Sequence, residues 1–328
     1  MVDAQSEGKQ HRPTLADGWV ARLEGRRPRV PFADGEDARV REAAQDLIGL
    51  GLRPVLVSDS SLAEVAPGVD VLSLAELAAG PVGQEVQDTL RERGLSEDVA
   101  SLRRLDPTFL STRLTRRGDT QATVAGSARP TSDALRAGLQ AMGLAQGVST
   151  LSSSFLMRLP YGQSRCFADC AVIPEPTVHQ LTDQARSSAA TFSALTGEEP
   201  VVGLLSFSTK GTAKHPSLDR LCGPRELVNA ESPELLIDDE LQFDAASVAS
   251  VADRKAPGSA VAGHANVFVL PALASGNIGY KIAEGLGGAS SYGPLLQGLS
   301  GVLNDLSRGR TADHIVKVDL ISAVQAGQ

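Results

Sequence analysis

Short apolar runs alternate with amphipathic stretches along most of this chain, and the two kinds of segment differ in period. Val40, Ala43, Ala44 and Leu47 recur every three to four residues, the spacing of one helix face. That pattern predicts a helix over 37–48, entered from a short strand at 29–32 and ended by Gly49 and Gly51. The continuous "PVLVS" that follows reads as a buried parallel strand, completing a strand–helix–strand unit. "VDVLSLAELAAG" predicts a strand and then a helix, 81–105 a charged helical stretch, and "GDTQATVAGSA" a strand and turn. "TSDALRAGLQAMGL" predicts an amphipathic helix with Thr131 or Ser132 near its cap.

Beyond Gly143–Gly147, where a domain border is expected, "GVSTLSSSFLMRLP" and "RCFADCAVIPEP" read as strands able to pair antiparallel. "TVHQLTDQARSSAATFSALTG" reads as a helix, and "PVVGLLSFST" and "ANVFVLPAL" as buried strands. "DDELQFDAASVASVADRKAPGS" reads as a loop and helix, and "SGNIGYKIAEGLGG" and "TADHIVKVDLISAVQA" as further helices. The polar segment 1–28 reads as a flexible N-terminal tail, or as a short leading helix followed by a linker. Strands alternating with helices predict an α/β fold with largely parallel sheets.

Composition changes this picture little. The chain has 328 residues, 42% apolar and 21% charged, enough for one large or two medium domains. A net charge of −8 argues against broad electrostatic binding to nucleic acid. No run long enough to cross a membrane occurs. "MVDAQSEGKQHRPTLADGW" lacks the apolar centre of an export signal, so the expected compartment is the cytoplasm. Cys166, Cys170 and Cys222 form no CxxC pair and fit a reducing compartment. Cys166 and Cys170 have a spacing compatible with a metal on a helix, yet no Cys or His pair follows at zinc-like spacing. The cysteines are therefore expected to be apolar fillers, with no metal bound.

Ligands of open α/β sheets bind outside the carboxyl ends of the strands. Three polar clusters are expected there: "SFSTKGTAKHP", "ASGNIGYK" and "NDLSRG". The first offers Lys210, Gly211 and Lys214 to an anion, or is simply a solvated loop. No Walker A motif and no GxSxG elbow occurs. In "NDLSRG", Arg308 has the fork that suits carboxylate or phosphate, and Ser307 adds an adjustable hydroxyl. Asp313 and His314 fall in the first turn of the last helix, where either an acid–base role or a capping network fits the spacing.

In this order, "SFSTKGTAKHP", "ELQFDAA", "RKAPGS", "VAGHANVFVLPALASGNIGYKIAEGLGG", "GPLLQGL" and "NDLSRG" resemble the phosphate acetyltransferase family. Upstream, "FADCAVIPEP", "LRAGLQ" and "FADGEDARV" extend the likeness over roughly 30–328. The resemblance implies two three-layer α/β/α domains facing a central cleft, isocitrate/isopropylmalate dehydrogenase-like, usually in a homodimer. The first domain would comprise 29–145 with 297–328, and the second 146–296. It also implies reversible acetyl transfer between coenzyme A and phosphate by direct thiolate attack, with no metal and no tightly bound cofactor. Coenzyme A, acetyl phosphate and inorganic phosphate would be the substrates. Ser307, Arg308, Asp313 and His314 are then the expected catalytic residues. Arg91, Arg136, Thr131, His264, Asn277, Tyr280, Lys281, Asn304 and Asp305 are expected to contact substrate.

The sequence departs from that family's pattern. His314 occupies the gapless position of the family's aspartate, with Asp313 one residue earlier. A helix turns about 100° per residue, so the two cannot face alike, and either is a candidate base. His264 replaces a lysine, Ala272 a carboxylate, Ala122 a glycine, and Arg129–Pro130 a His–Ser pair. Propionyl or butyryl transfer, or a weakened binding paralogue, are the alternatives these departures leave open.

Overall fold

The computed structural model describes residues 14–59 and 65–327. The strands are β1 (Arg29–Phe32), β2 (Arg53–Ser58), β3 (Asp70–Ser73), β4 (Ala122–Ala125), β5 (Ser152–Arg158), β6 (Ser164–Ala168), β7 (Val201–Leu205), β8 (Leu236–Leu241), β9 (Val267–Val269), β10 (Ser290–Gln297) and β11 (Val302–Asp305). Among the described residues they form one sheet in the order β3-β2-β1-β4-β11-β10-β5-β6-β9-β7-β8. The first five run parallel, as do β6, β9, β7 and β8. Between these blocks, β10 and β5 pair antiparallel. The result is two α/β/α lobes around a central cleft, with their sheets fused through β10 and β5.

Strand alternation sets the layers, since successive side chains point to opposite faces. In β5, Leu156 joins a continuous core with the helices Leu15–Leu23, Ala38–Gly49, Val178–Thr196 and Ala312–Gln325. Its neighbours Phe155 and Met157 join a separate core on the other face, under the helix Leu273–Gly285. The first lobe has its own cores on that second face. One face of the sheet therefore ties the lobes together, while the other is divided between them.

Each of the three expected polar clusters leaves the carboxyl end of a strand, but strand direction separates them. Because β10 reverses β11 and β6 reverses β5, the carboxyl end of β11 lies at the same end of the sheet as the amino ends of β6, β9 and β7. "NDLSRG" does leave a strand there. The loops after β7 and β9, carrying "SFSTKG" and "ASGN", leave at the opposite end. The three clusters do not converge. Lys210 is held in ion pairs with Asp238 and Asp239.

Of the two readings of the leading segment, the structure has the short helix and not the flexible tail over residues 14–28, whereas 1–13 lie outside the described residues. Thr14 and Asp17 form a reciprocal cap that starts the helix Leu15–Leu23. Trp19 is 1% exposed and its indole N–H donates to the Leu195 carbonyl at 2.8 Å. Strands β8, β10 and β11 also escape the sequence reading. In β8 the run Asp238–Glu240 hides the strand, yet Asp238 is buried because Lys210, Arg225 and Ser259 pair with it. Among the described residues, no helix is long and apolar enough to cross a membrane.

Candidate active site

The carboxyl ends of β1, β4 and β11 lie side by side, and polar residues leave each strand there. After β1, the Asp34 carboxylate accepts the Gly126 and Ser127 backbone N–H groups, both at 2.9 Å. That fixes the loop following β4. Arg129 lies 3.4 Å from Asp34 and 3.4 Å from Asp106, so its charge serves this loop. Arg39, in the first turn of the next helix, is gripped by Asp37. Its remaining donors reach the Ser127 carbonyl at 2.9 Å and the Arg310 carbonyl at 3.0 Å. Arg39 thereby joins the β4 loop to the turn after β11.

That turn carries Ser307 and Arg308, and the Arg310 N–H closes it on the Ser307 carbonyl at 3.3 Å. Arg308 is exposed, and among the described residues it has no ion pair and no side-chain hydrogen bond. Most arginines near the first-lobe end of the sheet are already bound to carboxylates. An exposed guanidinium without a protein carboxylate has a fork suited to pairing with an anion.

Two residues on, Arg310 points the other way. Its guanidinium meets Glu284 at 2.6 Å and Ser291 Oγ at 3.0 Å, and Ser291 donates to Glu284 at 2.7 Å. Burial acts to raise the Glu284 carboxyl, but the Arg310 and Ser291 hydrogen bonds outweigh it and hold it below the usual range. Glu284 ends a second-lobe helix and Ser291 begins β10, so the pair bridges the lobes.

His314 lies beside this bridge, on the helix capped by Thr311. It is 9% exposed, its ring sits 5.8 Å from that of Tyr292, and its Nε2 is buried with no partner among the described residues. Burial, with Arg310 next, lowers its pKa to about 4, so the imidazole is neutral at pH 7. Asp313 faces outward and is tied to Lys317. The two candidate bases are thus separated as helix geometry requires, with His314 inward.

Comparison with known proteins identifies the family. The sequence matches the family described as "Phosphate acetyl/butaryl transferase" over residues 16–323. A phosphate acetyltransferase from Paracoccus denitrificans is 40% identical over 305 residues, 90% of this chain and 94% of its own. A phosphotransacetylase from Streptococcus pyogenes superposes with a TM-score of 0.88 at 35% identity, over 95% of this chain and 98% of its own. An EutD phosphotransacetylase from Staphylococcus aureus gives 0.83 at 34%, over 95% and 98%. The chain belongs to the phosphate acetyl/butaryl transferase family.

The other residues expected to bind substrate in this family member are distributed unevenly. Thr131 and Asp305 are at the site end, bonded to each other at 2.6 Å. Asn304 is a correction: it is fully buried and fastens β11 to β10 and the last helix through Leu296 N, Ser322 Oγ and Gln325 Oε1. Arg136 is half exposed and paired with Asp133 at 2.5 Å. Arg91 is held by Glu97 and Asp88, with Glu97 the main cause of its raised pKa, and no contact joins it to the Ser307 turn. Asn277 donates to the Cys170 carbonyl near the opposite sheet end, Lys281 bonds Asn277, and Tyr280 stacks on Phe155 at 4.2 Å. His264 is exposed at the amino end of β9, the same sheet end as Ser307 but four strand spacings away, roughly 19 Å.

Asp34, Arg39, Glu284 and Arg310 were not singled out from sequence. Asp34 had a usable signal, a polar residue directly after a buried strand. Cys170 is buried and its thiol pKa is raised by burial, as suits packing. Among the described residues no group of three His, Cys, Asp or Glu side chains is arranged to hold a metal.

Proposed function

We propose that the chain catalyses reversible acetyl transfer between coenzyme A and phosphate: acetyl-CoA + phosphate = CoA + acetyl phosphate. The observation that carries this reading is the unpaired Arg308 beside Ser307 at the carboxyl end of β11, in a chain of this family. With acetyl phosphate and coenzyme A both bound, His314 takes the thiol proton as sulfur attacks the acetyl carbonyl. A thiol has a pKa of about 8.5, so a base near 4 acts in concert with attack and not before it. Ser307 donates to the developing oxyanion. The carbon–oxygen bond to phosphate breaks, and Arg308 receives the departing anion. Juxtaposing two substrates supplies much of the remaining rate.

The same reading assigns Thr131, Arg136, Lys281 and His264 to substrate contacts along the cleft, and keeps the division 29–145 with 297–328 against 146–296. The pairing of β11 beside β4 supports that division. It also includes a homodimer. Ile278 and Ile282 on the helix Leu273–Gly285, with Leu286 at its C-cap, form an exposed ladder at four-residue spacing, an apolar stripe suited to a second copy.

The test is release of free thiol from acetyl-, propionyl- and butyryl-CoA by the purified protein, with and without inorganic phosphate. Phosphate-dependent release fastest with acetyl-CoA is expected. Thioester hydrolysis indifferent to phosphate, or no release at all, overturns the proposal.

A further inference from the structure

Arg310 is held from both lobes at once. The first lobe takes its backbone: Arg39 donates to the Arg310 carbonyl at 3.0 Å, and the Arg310 N–H closes the turn on Ser307. The second lobe takes its side chain, through Glu284 at 2.6 Å and Ser291 at 3.0 Å. The two side chains of the ion pair are 22% and 31% exposed, so solvent screens the pair less than a surface salt bridge. Ser307 and Arg308 lie between the clamped β11 and the clamped Arg310, a span of five residues from Asp305. Their own side chains have no protein partner among the described residues. Among the described residues, these two clamps are what fix the path of the turn that carries them.

We propose that the Glu284–Arg310 pair is an interlobe strut that positions Ser307 and Arg308 for the reaction. This rests on the acyl-transfer reading above for what the turn does, but not for the strut itself. Glu284 and Arg310 are positioning residues, because they act through the turn and bind no substrate. The strut also sets the surroundings of His314. That ring is faced by Arg310 from the turn, Glu284 from the second-lobe helix, Tyr292 from β10, and Lys317 and Asp313 from its own helix. Arg310 opposes protonation of His314 and Glu284 favours it, so the two charges of the intact pair act against each other at the ring. Loss of one partner leaves a lone charge there.

Two readouts test the strut. The first is kinetic. Arg310→Gln and Glu284→Gln should each lower kcat about tenfold while KM for acetyl-CoA changes less than about threefold, since misplaced groups lose transition-state contacts. Arg310→Lys should retain more activity than Arg310→Gln. The charge-reversed pair, Glu284→Arg with Arg310→Glu, should exceed both single reversals, as coupled partners do. Single variants with wild-type kcat, or a double reversal that fails to exceed both single reversals, overturn the strut.

The second readout needs no activity. NMR titration of the His314 imidazole should move up in pH for Arg310→Gln and down for Glu284→Gln. An imidazole whose titration is unmoved in both variants overturns the proposal even if activity falls. If the wild-type enzyme shows no phosphate-dependent thiol release, the function reading fails while opposite NMR shifts still support the strut.

Discussion

Thr131 donates its hydroxyl to Asp305 Oδ2 at 2.6 Å, closing the helix after β4 onto the end of β11. The other oxygen, Oδ1, is buried with no partner among the described residues. It fills the space a side chain at Gly126 would need, since a Cβ there would lie 1.9 Å from it and Gly126 has φ +90°. Burial pushes the Asp305 carboxyl up to about 7. The folded pKa is therefore above the unfolded value, and the native state binds more protons between about 4 and 7. Its contribution to stability is complete at low pH and is lost as pH rises through 7. Asp305→Asn, which keeps the shape without the charge, should gain Tm over wild type progressively from pH 5 to pH 8. A Tm difference that is flat with pH would contradict this.

His314 has the opposite sign. Its folded pKa of about 4 lies below the unfolded value of about 6.5. Stability from this group is present above 6.5 and is lost as pH falls toward 4. As the base, it stays deprotonated through the neutral range, so kcat/KM should show no acidic limb near 6.5. His314→Ala should lower kcat by about tenfold or more, whereas Asp313→Ala, already tied to Lys317, should remain within about twofold. The reverse order would make Asp313 the base.

Asn304 is a fastener. Asn304→Ala leaves the Leu296 N–H buried without an acceptor and frees Ser322 and Gln325. Unsatisfied buried groups of this kind cost about 1–3 kcal/mol each. Urea unfolding should show a loss of roughly that size, with KM for acetyl-CoA unchanged. A raised KM with unchanged stability would return Asn304 to the substrate site.

Trp19 tests the leading helix. Its indole fills the main core against Tyr292, with ring centroids 6.1 Å apart. Trp19→Ala should cost about 3–5 kcal/mol in urea unfolding. A loss under about 0.5 kcal/mol would restore the reading of 14–28 as a tail.

The contrast between Asn304 and Arg308 shows what sequence made legible. Both belong to the motif "NDLSRG", and motif membership alone assigned both to ligand. Only packing separates them: Asn304 ends on the core side of β11, while Arg308 lies past its end. Most strands and helices were readable, because apolar runs and 3.6-residue spacing are local signals. β10 and β11 were not, since Gly293–Pro294 interrupts one and the other is short and ends in polar residues. The reversal of strand direction between the lobes is a pairing property with no local signal. It sends "SFSTKG" and "ASGN" to the far end of the sheet. Glu284 and Arg310 are 26 residues apart in sequence, and each alone looks like an ordinary surface charge.

The most direct test of the central claim is the phosphate-dependent thiol release of Arg308→Ala set against wild type. The fold should persist, because Arg308 is exposed and has no side-chain partner among the described residues. Turnover should fall by about a hundredfold, the order expected when a charged hydrogen-bonding partner of the leaving anion is removed, with partial recovery in Arg308→Lys. Wild-type turnover in a folded Arg308→Ala enzyme would contradict the account.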